Sequence, residues 1–209
     1  MLPELTVLSE RSGWVLLGSL SLMFPGIGVG GYCLTKDPLL ASWSRKSLFD
    51  SDSDLEMSIE SVSTNDQMPI FAFNRLVEVF GDLNDIKVAF LGISYRGDVG
   101  DTRFTPVEKF VEMIHQAGAE IRLHDPFVSF WEEREVFVEA DLKTVFHSNP
   151  DLIIISAGHS QYKKVETIDS LMELNTAFIY DTIGLLNEKQ LAVLRSKHKV
   201  SVLGRGDIE

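Results

Sequence analysis

The sequence has 209 residues, of which 44% are hydrophobic and 24% charged, so it is long enough for one or two globular domains and has too much apolar content for a disordered chain. Its formal net charge of −12 argues against nucleic acid as a partner, because phosphate binding requires clustered Lys and Arg. One cysteine permits no internal disulfide, which is typical of a cytoplasmic protein, and we predict that location.

The first 23 residues match no domain and are left unassigned. The apolar run 14–24 could be a signal-peptide core or half a membrane span. It has only about half of the roughly 20 residues that cross a bilayer, and no usual cleavage site follows it. We therefore predict a buried segment and no membrane partner, with membrane insertion or export as the alternative.

A glycine-rich stretch leads directly into the only cysteine, Cys33. Glycines let the backbone approach a ligand closely and adopt positive φ. Lys36 and Asp37 follow, and a nearby positive charge favours a thiolate while a carboxylate can orient a water. Cys33 is therefore a candidate nucleophile; the alternative is a small buried hydrophobe. The glycines are Gly26, Gly28, Gly30 and Gly31.

Three helices are predicted next. Pro38 starts the first, which carries an apolar stripe, and the turn 50–54 supplies candidate N-caps for the second. Pro69 opens the third and Gly81 closes it. Without further information this part is a plain helical hairpin. The stripe comprises Leu39, Leu40, Trp43, Leu48 and Phe49.

From residue 86 onward, short apolar runs alternate with helical patterns. Thr105 and Pro106 form an N-terminal signature of a helix. Strands and helices that alternate with short connections specify an α/β fold, a doubly wound, Rossmann-like parallel sheet. The predicted strands are 87–93, 120–124, 151–156, 177–180 and 199–203, and the predicted helices are 105–117, 131–138, 165–174 and 187–195.

Ligands of such a sheet bind beyond the carboxyl ends of the strands. The loop after the first strand carries Arg96, Asp98, Asp101 and Arg103, which are either contacts for an anionic ligand or a surface ion-pair cluster.

His124, Asp125 and Pro126 end the second strand and either meet a ligand or form an ordinary turn. His159 is a weaker candidate. The histidines lack metal-ligand spacing with Cys33, so we expect no metal.

These motifs together resemble the UDP-glucose/GDP-mannose dehydrogenase family, which oxidises the C6 hydroxyl of a nucleotide sugar to a carboxylate. The resemblance covers about residues 24–206. In the loop after the first strand, two positions depart from the family pattern: Arg96 replaces a lysine, and Phe104 replaces an acid or amide. The arginine that follows Tyr180-Asp181-Thr182 in the family is also absent here. The matching motifs are Pro25-Gly26-x-Gly28-Val29-Gly30-Gly31-x-Cys33-Leu34-x-Lys36-Asp37-Pro38, Asn65-Asp66-x-Met68-Pro69, the Asp98–Pro106 loop and His124-Asp125-Pro126.

The resemblance implies a helical central domain at 24–82, through which the family forms dimers, and a UDP- or GDP-sugar-binding domain at 83–209. No G-x-G-x-x-G fingerprint follows a predicted strand, and the NAD-binding domain that precedes the cysteine stretch in the family is missing. NAD is thus the implied cofactor, held mainly by a domain outside this chain. A nucleotide sugar and a second copy of the chain are the implied partners.

The resemblance also implies residue roles. Cys33 corresponds to the nucleophile that adds to the sugar aldehyde, Asp37 to the acid that assists the water, and Lys36 lies in the same motif. The implied substrate-binding residues are Gly28, Gly30, Gly31, Tyr32, Arg96 and Arg103.

Three functional hypotheses follow. The first is part of a nucleotide-sugar 6-dehydrogenase that is inactive alone, and the second is a non-catalytic sugar-nucleotide-binding or dimerisation module. The third, a cysteine hydrolase, requires a histidine base beside Cys33 that no sequence pattern supplies.

Overall fold

The computed structural model describes residues 26–49, 51 and 53–206. Two helices come first, and a parallel sheet covered by helices follows them. The predictions for residues 1–23 and for the apolar run 14–24 lie outside the described residues, as do Phe24, Pro25, Asp50 and Asp52.

Helix α1 (Tyr32–Phe49) begins within the cysteine stretch, so the predicted start at Pro38 is wrong. Proline removes one backbone N–H, but a helix that packs along a neighbour can continue through it. The predicted apolar stripe is exposed, and the buried residue of this helix is Ser42.

Helix α2 (Glu56–Phe80) is continuous, so the prediction of two helices that meet at Pro69 is wrong. Asp54 does not cap it; its carboxylate accepts a hydrogen bond from Lys46 Nζ at 2.7 Å and ties the connection to α1. Gly81 ends the helix as predicted, with φ of 103°.

The sheet confirms the predicted α/β class. Five parallel strands follow the order β2-β1-β5-β6-β7. Within this sheet the chain runs from β1 outward to β2 and then crosses to β5, so the strand order reverses between β1 and β5. The strands are β1 (Lys87–Leu91), β2 (Glu120–His124), β5 (Leu152–Ile155), β6 (Phe178–Asp181) and β7 (Lys199–Val202), and the helices are α3 (Pro106–Gln116), α4 (Leu142–Phe146), α5 (Val165–Glu173) and α6 (Glu188–Arg195).

The predicted helix 131–138 is wrong. Residues there form a short antiparallel pair, β3 (Phe130–Trp131) and β4 (Val136–Phe137), joined by a 3₁₀ turn. Glu135 has φ of 54°, a left-handed conformation that a continuing helix does not allow. Helix α4 was not predicted.

The helical part is joined to the sheet by packing and by side-chain hydrogen bonds, one of them buried. Ala72 and Leu76 of α2 are fully buried in the cluster on one face of the sheet. The hydroxyl of Tyr180 on β6 donates to the backbone oxygen of Ala72 at 3.2 Å, and the site is buried.

We expect Tyr180→Phe to lower the free energy of unfolding by about 1 kcal/mol, because it removes a buried hydrogen bond while leaving the ring in place. Urea denaturation would measure the loss. Tyr32→Phe is the control, since its ring is exposed and it should change stability by less than about 0.5 kcal/mol. Equal effects of the two variants would contradict a stabilising link between β6 and α2.

Candidate functional site

A cleft of about 720 Å³ lies between the glycine stretch and the carboxyl ends of the central strands. Its sheet side is formed by the loops after β1 and β5, which flank the point where the strand order reverses and where open α/β sheets bind ligands. Its lining includes Gly26, Ile27, Gly28, Val29, Gly30, Gly31, Tyr32, Cys33, Leu34, Ser94, Tyr95, Arg96, Gly97, Arg103, Ser156, Ala157 and Gly158.

The glycine stretch is held at two points. Ile27 is fully buried in the core beside α2. The side-chain amide of Asn65 on α2 forms two hydrogen bonds with the backbone of Val29. Val29 N donates to Oδ1 at 2.7 Å, and Nδ2 donates to Val29 O at 2.8 Å. The stretch therefore has a fixed position above the sheet.

Two of the glycines allow close contact with the loop after β1. A Cβ on Gly30 would lie 2.5 Å from Tyr95 Cβ, and one on Gly31 would lie 2.9 Å from the Tyr95 ring. Gly31 also has φ of 85° and donates its N–H to Arg103 O at 3.2 Å. The nearest neighbours of these glycines are thus protein atoms, and the glycines bring the two walls of the cleft together.

Cys33 lies in the first turn of α1, exposed and in the lining of the cleft. The alternative that it is a small buried hydrophobe is therefore wrong. Lys36 and Asp37 lie one turn further along α1, with Nζ and Oδ1 3.6 Å apart. Neither belongs to the lining; Lys36 instead places Nζ 4.6 Å from the centre of the Tyr32 ring.

The two arginines of the cleft differ in their partners. Arg103 forms a bidentate ion pair with Asp101, with distances of 2.9 and 2.7 Å. The hydrogen bonds to Asp101 and its charge raise the pKa of Arg103, and the hydrogen bond from Arg103 lowers the pKa of Asp101. Arg96 is exposed, and no side chain in the part of the chain that the structure describes pairs with it. Arg96 is therefore a cation available to a ligand.

The predicted ion-pair cluster is half correct. Asp101 and Arg103 pair, but Asp98 binds elsewhere: its carboxylate accepts hydrogen bonds from the backbone N–H and the hydroxyl of Ser160. The hydroxyl and backbone hydrogen bonds from Ser160 lower the pKa of Asp98.

His124 and Asp125 are fully buried, so their side chains cannot meet a ligand in the cleft, and the alternative of a structural turn is correct. His124 Nδ1 lies 2.8 Å from the hydroxyl of Tyr162. Burial alone would raise the pKa of Asp125, but hydrogen bonds from His159 and from backbone N–H groups outweigh it, and the pKa is lowered. His159 is also fully buried.

These buried groups predict instability in acid. Burial lowers the pKa of His124 from about 6.5. Just below that pH, His124 is protonated in the unfolded chain but remains neutral in the folded protein. The free energy of unfolding should therefore fall as the pH decreases from about 6.5. Because the pKa of Asp125 is also lowered in the folded protein, we expect a further loss of stability below about pH 3.8, where the unfolded chain binds a proton at Asp125.

Urea denaturation at constant ionic strength between pH 8 and 5 would test this. His124→Gln should weaken the pH dependence, and part of it should remain because burial also lowers the pKa of His198. His147→Gln, which changes an exposed histidine, should leave it intact. A wild-type stability that is unchanged between pH 8 and 5 would contradict the prediction.

Comparison with known proteins agrees with this geometry. Residues 89–188 match the sequence profile of the "UDP-glucose/GDP-mannose dehydrogenase family, UDP binding domain". This part of the chain belongs to that family. The matched region begins within β1 and contains β2, β5 and β6, so it includes residues of both strands at which the strand order reverses.

Relatives of this chain include archaeal and bacterial nucleotide-sugar dehydrogenases. The UDP-N-acetyl-D-mannosamine dehydrogenase of Pyrococcus horikoshii is 31% identical over 189 residues, which cover 88% of this chain and 40% of the relative. The crystal structure of an NDP-N-acetyl-D-galactosaminuronic acid dehydrogenase from Methanosarcina mazei is similar with a TM-score of 0.73 at 27% identity, covering 88% of this chain and 40% of that one. The chain thus spans about two fifths of the length of these relatives.

Some residues of the site were missed from sequence. The sequence placed Asn65 in a matching motif without a role, and it indicated the loop after Ser156 as a ligand site without identifying Ser156, Ala157 or Gly158 as contact residues. An amide four residues before Pro69, within the matching motif, was the available signal for Asn65, but its partner Val29 lies 36 residues away. Among the helices of the described residues, none combines the length and hydropathy needed to cross a bilayer.

Proposed function

We propose that the cleft binds a nucleotide sugar, UDP- or GDP-linked, and that the chain is the substrate-binding and cysteine-bearing part of an NAD-dependent nucleotide-sugar 6-dehydrogenase. The observation that carries the proposal is the meeting, in one cleft at the strand-order reversal, of an exposed thiol with an arginine that has no side-chain partner among the described residues. A diphosphate requires a cation, and a sugar aldehyde requires a nucleophile.

The residues have distinct proposed roles. Cys33 forms the covalent bond to the sugar aldehyde, and Asp37 assists the water that releases the acid, with Lys36 beside it. Arg96 faces the diphosphate, Arg103 and Tyr32 border the same cleft, and the backbone of Gly28, Gly30 and Gly31 forms its wall.

The described residues do not fit the cofactor. No strand of the main sheet is followed by G-x-G-x-x-G within residues 26–49, 51 and 53–206. NAD is the cofactor of the proposed reaction, and a partner polypeptide or further segment would hold it. We therefore expect the chain alone not to oxidise a sugar.

Calorimetric titration of the chain with UDP, GDP and NAD separately would test the proposal. UDP or GDP should bind, NAD should not, and Arg96→Ala should weaken nucleotide binding at least about tenfold through the lost charge-assisted contact. Absence of binding by both nucleotides would overturn the proposed function. NADH formation with NAD and a nucleotide sugar would overturn the expected inactivity.

A dimerisation module is the second candidate function. Large apolar side chains on α1 are exposed, with Trp43 at 57%, Leu48 at 66% and Phe49 at 77%, and such clusters favour an interface. A homodimer through the helices of residues 24–82 would cover them. Sedimentation equilibrium should give a dimer, and Trp43→Asp should give a monomer; a monomeric wild-type chain would reject this candidate.

The cysteine hydrolase receives no support. Within the described residues the lining of the cleft contains no histidine, and His124 and His159 are both buried and hydrogen-bonded away from Cys33.

A further inference from the structure

A buried carboxylate and imidazole lie directly beneath the loop after β1. Asp125 follows β2 and His159 follows β5, the strands on either side of β1, so both residues lie at the carboxyl end of the sheet and flank the loop after β1. Both side chains are fully buried, and His159 Nε2 lies 3.0 Å from Asp125 Oδ2. Neither side chain lines the cleft.

The pair holds both ends of segment 93–98. At the start of the segment, Asp125 Oδ2 accepts hydrogen bonds from the backbone of Ile93 at 3.0 Å and of Ser94 at 3.1 Å, and from the Ser94 hydroxyl at 2.9 Å. At its end, the backbone N–H of Asp98 donates to His159 Nδ1 at 2.9 Å. One buried pair therefore fixes the segment at two points.

These contacts also define the tautomer of His159. A backbone N–H can only donate, so Nδ1 must be the acceptor and the ring proton must reside on Nε2, where it is donated to Asp125. This is the only tautomer of the His159 ring that satisfies both the Asp98 N–H and the Asp125 carboxylate at once. A side chain without a donor and an acceptor at these two positions would remove the backbone contact at Asp98 and leave the hydrogen bonds between the Asp98 carboxylate and Ser160 to hold that end of the segment.

The middle of the segment forms the cleft wall. Ser94, Tyr95, Arg96 and Gly97 all belong to the lining, and Arg96 is the cation without a protein partner among the described residues. The side chain of an unpaired surface arginine can adopt many rotamers. The region that its charge can reach is therefore set by the position of its backbone. That backbone is fixed by contacts on either side of it.

We infer that His159 and Asp125 are positioning residues, which set the place of Arg96 in the cleft by holding both ends of segment 93–98. The inference deepens the proposed nucleotide-binding function and rests on it for its effect on affinity. Its effect on the segment itself does not require any ligand.

Hydrogen–deuterium exchange and UDP titration of the full chain would test the inference together. His159→Ala should speed exchange within 93–98 and weaken UDP binding about tenfold or more. His159→Gln, whose amide offers a donor and an acceptor, should restore most of both. Arg96→Ala should weaken UDP binding without changing the exchange. Asp125→Asn keeps the shape and serves as a second variant where His159→Ala does not fold.

His198 provides a matched control. It is also buried, accepts the N–H of Ala177 at Nδ1 at 3.1 Å and lies with Nε2 3.0 Å from the oxygen of Leu171. It precedes β7, at the opposite edge of the sheet from the cleft. His198→Ala should therefore cost stability without affecting exchange within 93–98 or UDP affinity.

The outcomes separate the two proposals. Unchanged exchange in His159→Ala, or an equal change in His198→Ala, would overturn the positioning role. A wild-type chain that does not bind UDP or GDP would overturn the proposed function, and the exchange measurements would still decide whether His159 and Asp125 hold the segment.

Discussion

Gly30→Ala is expected to destabilise the protein by about 1–3 kcal/mol and to open the cleft wall, because the new Cβ would overpack the site. It would lie 2.5 Å from Tyr95 Cβ and 2.7 Å from the backbone oxygen of Phe104. Neither atom is the end of a flexible side chain, so the glycine stretch and the loop after β1 must move apart. Thermal denaturation would measure the loss, at about 2–4 °C per kcal/mol for a chain of this size.

Cys33 supplies a second readout of the same change. Cys33 is the only cysteine, is exposed and lies close to Gly30. The rate at which the protein reacts with a thiol reagent therefore reports on the glycine stretch alone. We expect Gly30→Ala to alter this rate. Gly158→Ala is the control in the same cleft, since its Cβ would meet only Ile183 Cδ1 at 3.7 Å and Leu185 Cδ1 at 3.9 Å. Equal stabilities of the two variants would contradict the close-approach argument.

The parallel sheet was predictable because its information is local. Strands buried on both faces are continuous apolar runs, as in β5, and the edge strand β2, in which apolar and polar residues alternate, was predicted with its observed bounds. The start of α3 was predicted equally well: Thr105 is the N-cap, its side chain accepts from Val107 N, and Pro106 occupies the first helical position. In each case the residues that decide the structure are neighbours in sequence.

The errors arose where distant contacts override local preference. Pro38 and Pro69 were interpreted as helix starts, yet each lies inside a helix that packs against another element. Glu135, with its left-handed backbone, ends what composition alone predicted as a helix. A single proline or glutamate carries no signal of the packing that decides its conformation.

The site was predictable only in part for the same reason. Cys33, Arg96 and Arg103 do meet in one cleft, as strand-end loops at a reversal should. The burial of His159 and its bond to Asp98 N depend on two loops more than 60 residues apart in the chain. Spacing in the sequence cannot distinguish such a supporting histidine from one that meets a ligand.

Asn65→Ala is expected to cost about 1–3 kcal/mol and to release the glycine stretch, because it leaves the N–H and the oxygen of Val29 without their partners. Gln67→Ala, at an exposed position on the same helix, should be close to neutral. Thiol labelling of Cys33 should be faster in Asn65→Ala than in the wild type and unchanged in Gln67→Ala.

Asn65→Asp makes the test specific to the two-point contact. The aspartate keeps an acceptor for Val29 N but turns a second oxygen toward Val29 O, so at pH 7 it should be at least as destabilising as the alanine. Protonation restores a donor, and the deficit relative to wild type at the same pH should therefore shrink as the pH falls through the pKa of the introduced carboxyl group. A deficit that stays constant with pH would mean that only the Val29 N–H bond matters, and that the loop is held at one point rather than two.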